Sequence, residues 1–240
     1  DTATTEIYTL SLHDALPIYL DGEGGVFMEK SYTKIYTTGA TVPLKIRPGH
    51  FATNHAHINY YIDVTTLKAR TKEAEEVAQA LVGMYLYDTV IDTIVCMEGT
   101  EVIGAFLAEE LAKGGFLSTN AHKSIYVISP EFNNNSQIIF RDNMIPMIRD
   151  KHVMILMASV TTGRTLNKAV ESIQYYGGIL QGASAIFSAM DSLDGVPIKS
   201  VFGKKDLPDY TYSDYRDCPL CKAGKKIDAL VNTFGYSPMG

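Results

Sequence analysis

The run Thr161-Thr162-Gly163-Arg164-Thr165 gathers hydroxyls, a glycine and a cation in one short stretch. Hydroxyls donate to oxygen anions, and glycine lets a backbone approach a ligand closely. The flanks supply what such a turn needs. Residues 153–158 are an apolar run that suits a strand buried on both faces of a parallel sheet. Leu166, Ala169, Val170, Ile173 and Tyr176 then fall at helical spacing until Gly177-Gly178 stops the pattern. A strand, a tight turn and a helix N-terminus bring free N–H groups to one point, where the helix dipole favours negative charge. That is a phosphate cradle. The same residues also fit an ordinary strand-to-helix turn without a ligand.

Three other groups could do chemistry. Glu98-Gly99-Thr100-Glu101 lies between an apolar run at 89–97 and a helical pattern with Val102, Ile103, Phe106, Leu107 and Leu111 inward. Its carboxylates suit a helix N-terminus as well as a ligand turn. Cys218 and Cys221 form a Cys-x-x-Cys pair, half of a tetrahedral zinc site. A partner chain or the histidines near residue 55 could complete it; a redox pair or plain thiols are the alternatives. His55 and His57 are two apart, so on a strand they share a face and could ligate metal or simply be hydrogen-bonded.

These residues need elements to hold them. From 31 to 63, short β-branched and aromatic runs broken by Gly39, Pro43 and Pro48-Gly49 read as a small antiparallel unit, a lid. Residues 72–87 read as an amphipathic helix with Val77, Ala80, Leu81, Met84 and Tyr85 in one stripe. Further strands are expected at 123–129 and 179–189, a flexible loop around Asn133-Asn134-Asn135, a turn at 191–195 and a closing helix at 227–234. Strands and helices alternate from 72 to 189, so the fold class is α/β with a mostly parallel sheet flanked by helices and a small β-rich hood. Both candidate turns lie at the carboxyl ends of strands.

Composition narrows the field. The chain has 240 residues, 46% of them hydrophobic, and a net charge of −6. No basic stripe is available for nucleic acid, and no apolar run approaches the roughly 20 residues of a membrane span. Three cysteines and no credible secretory signal point to a reducing, cytoplasmic setting. Residues 1–27 differ in character, and 6–18 within them resemble translated sequencing-adapter DNA, so Met28 is the expected native start. A secretory signal is the competing reading, but His13 and Asp14 interrupt its would-be apolar core. The remainder, 28–240, is expected to be a single domain: hood 28–66, core 67–200 and tail 201–240.

The segment 153–163 resembles the phosphoribosyl-pyrophosphate loop of type I phosphoribosyltransferases. Val160, Thr161, Thr162 and Gly163 match its phosphate-binding end, while Met157 and Ala158 stand where that family has two carboxylates. Residues 50–63, through Tyr60, Tyr61 and Asp63, resemble the part of orotate phosphoribosyltransferases near the bound base. The resemblance implies transfer of phosphoribosyl from phosphoribosyl pyrophosphate to a nucleobase, with Mg²⁺ and a homodimer. It implies pyrophosphate contacts from Glu98, Gly99, Thr100 and Glu101, base contacts from Tyr60 and Tyr61, and a mobile basic loop for which Arg141 is the nearest candidate, with Lys123 and Arg149 at its edges. A non-catalytic sensor of a nucleotide or phosphosugar on the same fold is the alternative.

Overall fold

A computed structural model of the chain describes residues 32–113, 119–121 and 123–239. The expected extension at 1–27 and the start at Met28 lie outside the described residues. Among the described residues, no helix is long and apolar enough to cross a membrane.

The central sheet is built from β4 (Thr93–Cys96), β5 (Tyr126–Ile128), β8 (His152–Val160), β9 (Ile179–Ser188), β10 (Ser192–Leu193) and β11 (Val196–Gly203). Its order is β10-β11-β9-β8-β4-β5, with β11, β9, β8, β4 and β5 parallel and β10 an antiparallel edge. Successive residues face opposite cores, as the pleat demands. Ile94, Cys96, Met154, Leu156 and Ile186 pack on one side, and Val95, Met97, Val153, Ile155, Met157 and Ala185 on the other. Burial on both faces is why these strands read as continuous apolar runs rather than alternating ones.

Helices α1 (Thr65–Ala69), α2 (Thr71–Val82) and α3 (Glu101–Lys113) accompany the first core; α4 (Arg164–Tyr175) covers the second. In α4 the buried positions Leu166, Ala169, Val170 and Ile173 are the expected stripe. Helix α2 ends at Val82, short of the expected 87, in turns that swing Tyr85 inward so that its hydroxyl meets Ser184 Oγ at 2.5 Å. Between β5 and β8 lie the small hairpin β6 (Glu131–Phe132) and β7 (Ile138–Ile139) and a 3₁₀ turn at Ile145–Met147.

The hood is a second sheet. β1 (Thr33–Ile35), β2 (Leu44–Ala52) and β3 (His57–Asp63) are antiparallel, as expected. The tail joins it. β12 (Tyr212–Ser213) pairs with β3, and after the short helix α5 (Pro219–Lys222) the hairpin of β13 (Ala229–Asn232) and β14 (Gly235–Pro238) adds alongside β2. One expectation is thereby corrected. In place of a helix over 227–234 the chain forms the strand Ala229–Asn232 and a turn, because β2 offers an open edge with which Ala229 and Leu230 align. The expected turn at 191–195 is present, as the tip of the β10–β11 hairpin, but it leads into residues 196–203, for which no element was expected and which form a core strand.

Candidate functional site

The order of the central sheet decides where a ligand can enter. From β4 the chain crosses to β5 on one side, while β8 lies on the other. Loops leaving the carboxyl ends of β4 and β8 therefore diverge and leave a crevice, the usual ligand position in open α/β sheets. Those loops are residues 97–100 and 161–163, the two turns singled out in the sequence. The cleft there has a volume of about 200 Å³. It is bounded by the 161–165 turn, the β2–β3 turn, Lys68 of α1 and the β13–β14 hairpin.

Gly163 begins α4 in the left-handed conformation, with φ 74°, and no side chain caps the helix. The first N–H groups of α4 thus face the opening without an intramolecular side-chain acceptor. A Cβ at Gly163 would also lie 2.9 Å from Leu193 Cδ2. Arg164 is exposed and has no ion-pair partner among the described residues. Thr161, Thr162 and Thr165 line the same cleft. The Thr161 hydroxyl is 3.0 Å from that of Tyr210, whose burial pushes its phenol up to about 12.

Opposite the turn, Thr53 Oγ1 accepts from the amides of His55 and Ala56, locking the β2–β3 turn and presenting Asn54 and His55 to the cleft. Burial, and then the charges of Arg164 and Lys168, lower the pKa of His55. The local field is therefore positive, which suits an anion. Lys68 Nζ donates to the carbonyl of Glu98 at 2.6 Å and to that of Thr233 at 3.2 Å, and burial lowers its pKa. Nothing in the sequence marked Lys68: it sits in a five-residue helix with no motif, and only the packing of the hood brings it to the site.

Among the described residues, Glu98 is the sole carboxylate lining this cleft. Its Oε2 accepts from Ser159 N at 3.4 Å, beside the positions of Met157 and Ala158, and burial raises its pKa. Met157 and Ala158 are themselves buried and offer no oxygen. Magnesium takes oxygen ligands, typically one or two carboxylates besides substrate phosphates. One carboxylate biased toward protonation does not fit a protein-held Mg²⁺.

Several expected residues are elsewhere. Thr100 is fully buried and its hydroxyl donates to the carbonyls of Met97 and Leu156, so it ties β4 to β8 rather than meeting a ligand. Gly99 is exposed with φ 80° and does not line the cleft. Tyr61 does line it, whereas Tyr60 packs against the hydrophobic cluster under the hood. Arg141 is held by both oxygens of Glu131, through Nε at 2.6 Å and NH2 at 2.7 Å. Lys123 pairs with Asp92 at 3.2 Å, and Asp92 in turn binds the amide of His152. Asp92 and His152 stand at the amino ends of β4 and β8, so Lys123 is at the wrong end of the sheet to act on a ligand in the cleft. Neither basic candidate lines it.

A second cluster lies at the junction of hood and tail. His50, His57, Cys218 and Cys221 each offer one ligand atom, all within 4.8 Å of one another. Burial raises the Cys218 thiol, but the amides of Cys221 and Leu220 and the side chains of His57 and Ser213 outweigh it and bring it down to about 6. Of the two histidines suspected from spacing, His57 is here and His55 faces the cleft. His50 was missed, because only the β2–β3 register makes it a neighbour of His57.

The mostly parallel sheet with flanking helices and a β-rich hood is the fold class expected from the sequence. No protein-family model matches the chain, and no curated protein matches it in sequence. Solved structures do match. A phosphoribosyltransferase from Corynebacterium diphtheriae is 14% identical, with 68% of this chain and 90% of that one covered and a TM-score of 0.49. Orotate phosphoribosyltransferase from Mycobacterium tuberculosis, in complex with inorganic phosphate, is 15% identical over 62% and 80% of the two chains, TM-score 0.43. Adenine phosphoribosyltransferase from Thermoanaerobacter pseudethanolicus is 16% identical over 60% and 88%, TM-score 0.46.

Proposed function

We propose that the cleft binds the 5′-phosphate of a phosphoribosyl compound at the N-terminus of α4, and that the chain is a phosphoribosyltransferase acting on a nucleobase. The observation that carries this reading is the uncapped start of α4 at Gly163, with the unpaired Arg164 beside it and the threonine hydroxyls around it. Backbone amides, a helix dipole and a guanidinium converge where a phosphate dianion gains most from them. The 5′-phosphate then sits at 161–165, the ribose extends toward Glu98 and Lys68, and the base lies under the hood near Tyr61. Glu98, pressed against the backbone of Ser159, supplies the carboxylate that Met157 and Ala158 lack. Orotate is the base assigned, following the Tyr-Tyr-Ile-Asp resemblance, in a cytoplasmic homodimer.

Transfer of this kind breaks a bond at the anomeric carbon through an oxocarbenium-like transition state. It calls for positioning and charge stabilisation rather than a nucleophilic side chain. Glu98, when ionised, is the group placed to stabilise positive charge on the ribose, and Lys68 is the cation placed to meet the departing diphosphate.

A second reading is a sensor that binds a nucleotide or phosphosugar without turnover. It is favoured by two observations: neither Arg141 nor Lys123 faces the cleft, and Met157 and Ala158 carry no charge. Pyrophosphate release assayed with phosphoribosyl pyrophosphate and a panel of bases, alongside calorimetric binding of the matching nucleoside monophosphates, separates the two. Release with orotate supports the assignment, and release with another base alone corrects it. Binding without release establishes the sensor, and no binding of any phosphoribosyl compound overturns both.

A further inference from the structure

The β2–β3 hairpin places two imidazoles on one face. Ala52 pairs with His57, and His50, two residues before Ala52, projects from the same side as a diagonal neighbour. Consecutive His50 and Phe51 are both buried because they face opposite sides of β2: Phe51 enters the core, and the tail covers His50. From the other side, β12 brings the tail across β3, pairing Ser213 with His57, and the chain then enters a Cys-Pro-Leu-Cys turn. Cys218 precedes α5 with Pro219 at its first turn, and Gly224 at φ 72° closes the loop.

The distances between donor atoms are those of a tetrahedral ion's ligand shell. His50 Nε2 is 3.1 Å from His57 Nδ1, 3.5 Å from Cys218 Sγ and 3.7 Å from Cys221 Sγ, and Cys221 Sγ is 3.3 Å from His57 Nδ1. A Zn²⁺ with bonds of about 2.0–2.1 Å to nitrogen and 2.3 Å to sulfur has N···N edges of about 3.4 Å and N···S edges of about 3.6 Å. Hydrogen bonding alone does not account for the convergence. His50 Nδ1 lies 2.8 Å from the carbonyl of Lys225 and must donate to it, which leaves a single lone pair on Nε2. Three groups approach that one lone pair. A cation accepts all of them at once.

We propose that His50, His57, Cys218 and Cys221 bind a structural Zn²⁺ that fastens the C-terminal tail to the hood. Two thiolates and two imidazoles in tetrahedral array select zinc over the oxygen-seeking divalent cations, and four protein ligands close the site to substrate. The Lys225 carbonyl orients the His50 ring from outside the shell. What the ion steadies is on either side of it. The β2–β3 turn carries Asn54 and His55 into the cleft. Beyond the cysteines, Asp228 exchanges hydrogen bonds with His50, its Oδ2 accepting from His50 N and its own N–H donating to His50 O, both at 2.7 Å. That contact sets β13, whose hairpin with β14 contributes Asn232 and Thr233 to the same cleft.

The test uses the full chain purified without chelator. Elemental analysis is expected to give about one zinc per chain. Titrating the thiols with an organomercurial should release that zinc to a chromogenic chelator. Exchange with Co²⁺ should give the visible bands of tetrahedral cobalt and a sulfur-to-cobalt charge-transfer absorption. Cys218→Ser and Cys221→Ser should each lose most of the zinc, whereas His55→Ala should keep it. Chelation should lower the melting temperature and open the amides of 218–232 to hydrogen exchange. Absence of zinc together with absence of the cobalt spectrum in the unaltered protein overturns the proposal, whether or not the variants fold. Full zinc content in a folded Cys218→Ser variant overturns it as well.

Discussion

The ammonium of Lys68 reaches the main-chain carbonyl of Glu98 at 2.6 Å, from a helix thirty residues earlier in the chain. The bond joins the hood side of the cleft to the loop after β4, and a further bond to Thr233 O adds the tail hairpin. A partly buried cation is thus kept beside the cleft by neutral carbonyls rather than consumed by a carboxylate. Its charge stays available for an anionic ligand.

Lys68→Met should therefore weaken binding of phosphoribosyl pyrophosphate. A hydrogen bond to a charged group contributes about 1.5–3 kcal/mol, which corresponds to roughly a ten- to hundredfold loss of affinity. Isothermal titration calorimetry reads the effect, and an unchanged dissociation constant would remove Lys68 from the site.

Gly163→Val is expected to abolish binding of inorganic phosphate. The φ of 74° is strained for a branched residue, and its Cβ would press on Leu193, so the variant should also lose about 1–3 kcal/mol of stability. Arg164→Ala separates the two effects, because Arg164 is exposed and its removal should cost binding but hardly any stability. Urea denaturation of both variants beside phosphate titration provides the measurements.

Arg141→Ala, in contrast, should leave phosphoribosyl-pyrophosphate binding within about twofold, since its guanidinium is engaged by Glu131 at an exposed site. A loss as large as that in Lys68→Met would show that the 131–141 hairpin does visit the cleft.

Asp92 predicts an acid-sensitive step. Burial is the largest single influence and raises its pKa, but hydrogen bonds from the His152 amide and ring and from Lys123, with the Lys123 charge, together outweigh it and hold it at about 2. A depressed folded value means that the contribution is complete above the unfolded value of about 3.9 and is lost as the pH falls toward 2. Because the carboxylate is partly open to solvent, screening should keep the effect below about 1 kcal/mol. In Asp92→Asn the melting temperature should be lower than wild type at pH 7 and converge with it only as the pH falls to about 2.

The sequence by itself determined the elements around the principal turn. Residues 153–158 had to be a doubly buried strand, because their apolar run is unbroken; Leu166, Ala169, Val170 and Ile173 had to face inward, because only a helix aligns them; and Gly163 marked the turn, because few other residues accept its φ. These are local consequences of period and of backbone sterics. What only the tertiary structure decided depends on pairs far apart in the chain. The β2–β3 register, and not the spacing of His55 and His57, chose His50 as the partner of His57. The open edge of β2 turned 227–234 from an expected helix into a strand and a turn. The end of the sheet at which a residue emerges removed Lys123, and hydrogen bonds across β4 and β8 removed Thr100, while chain folding supplied Lys68. Local patterns set which face of an element is buried; they carry no information about which other element comes to lie against it.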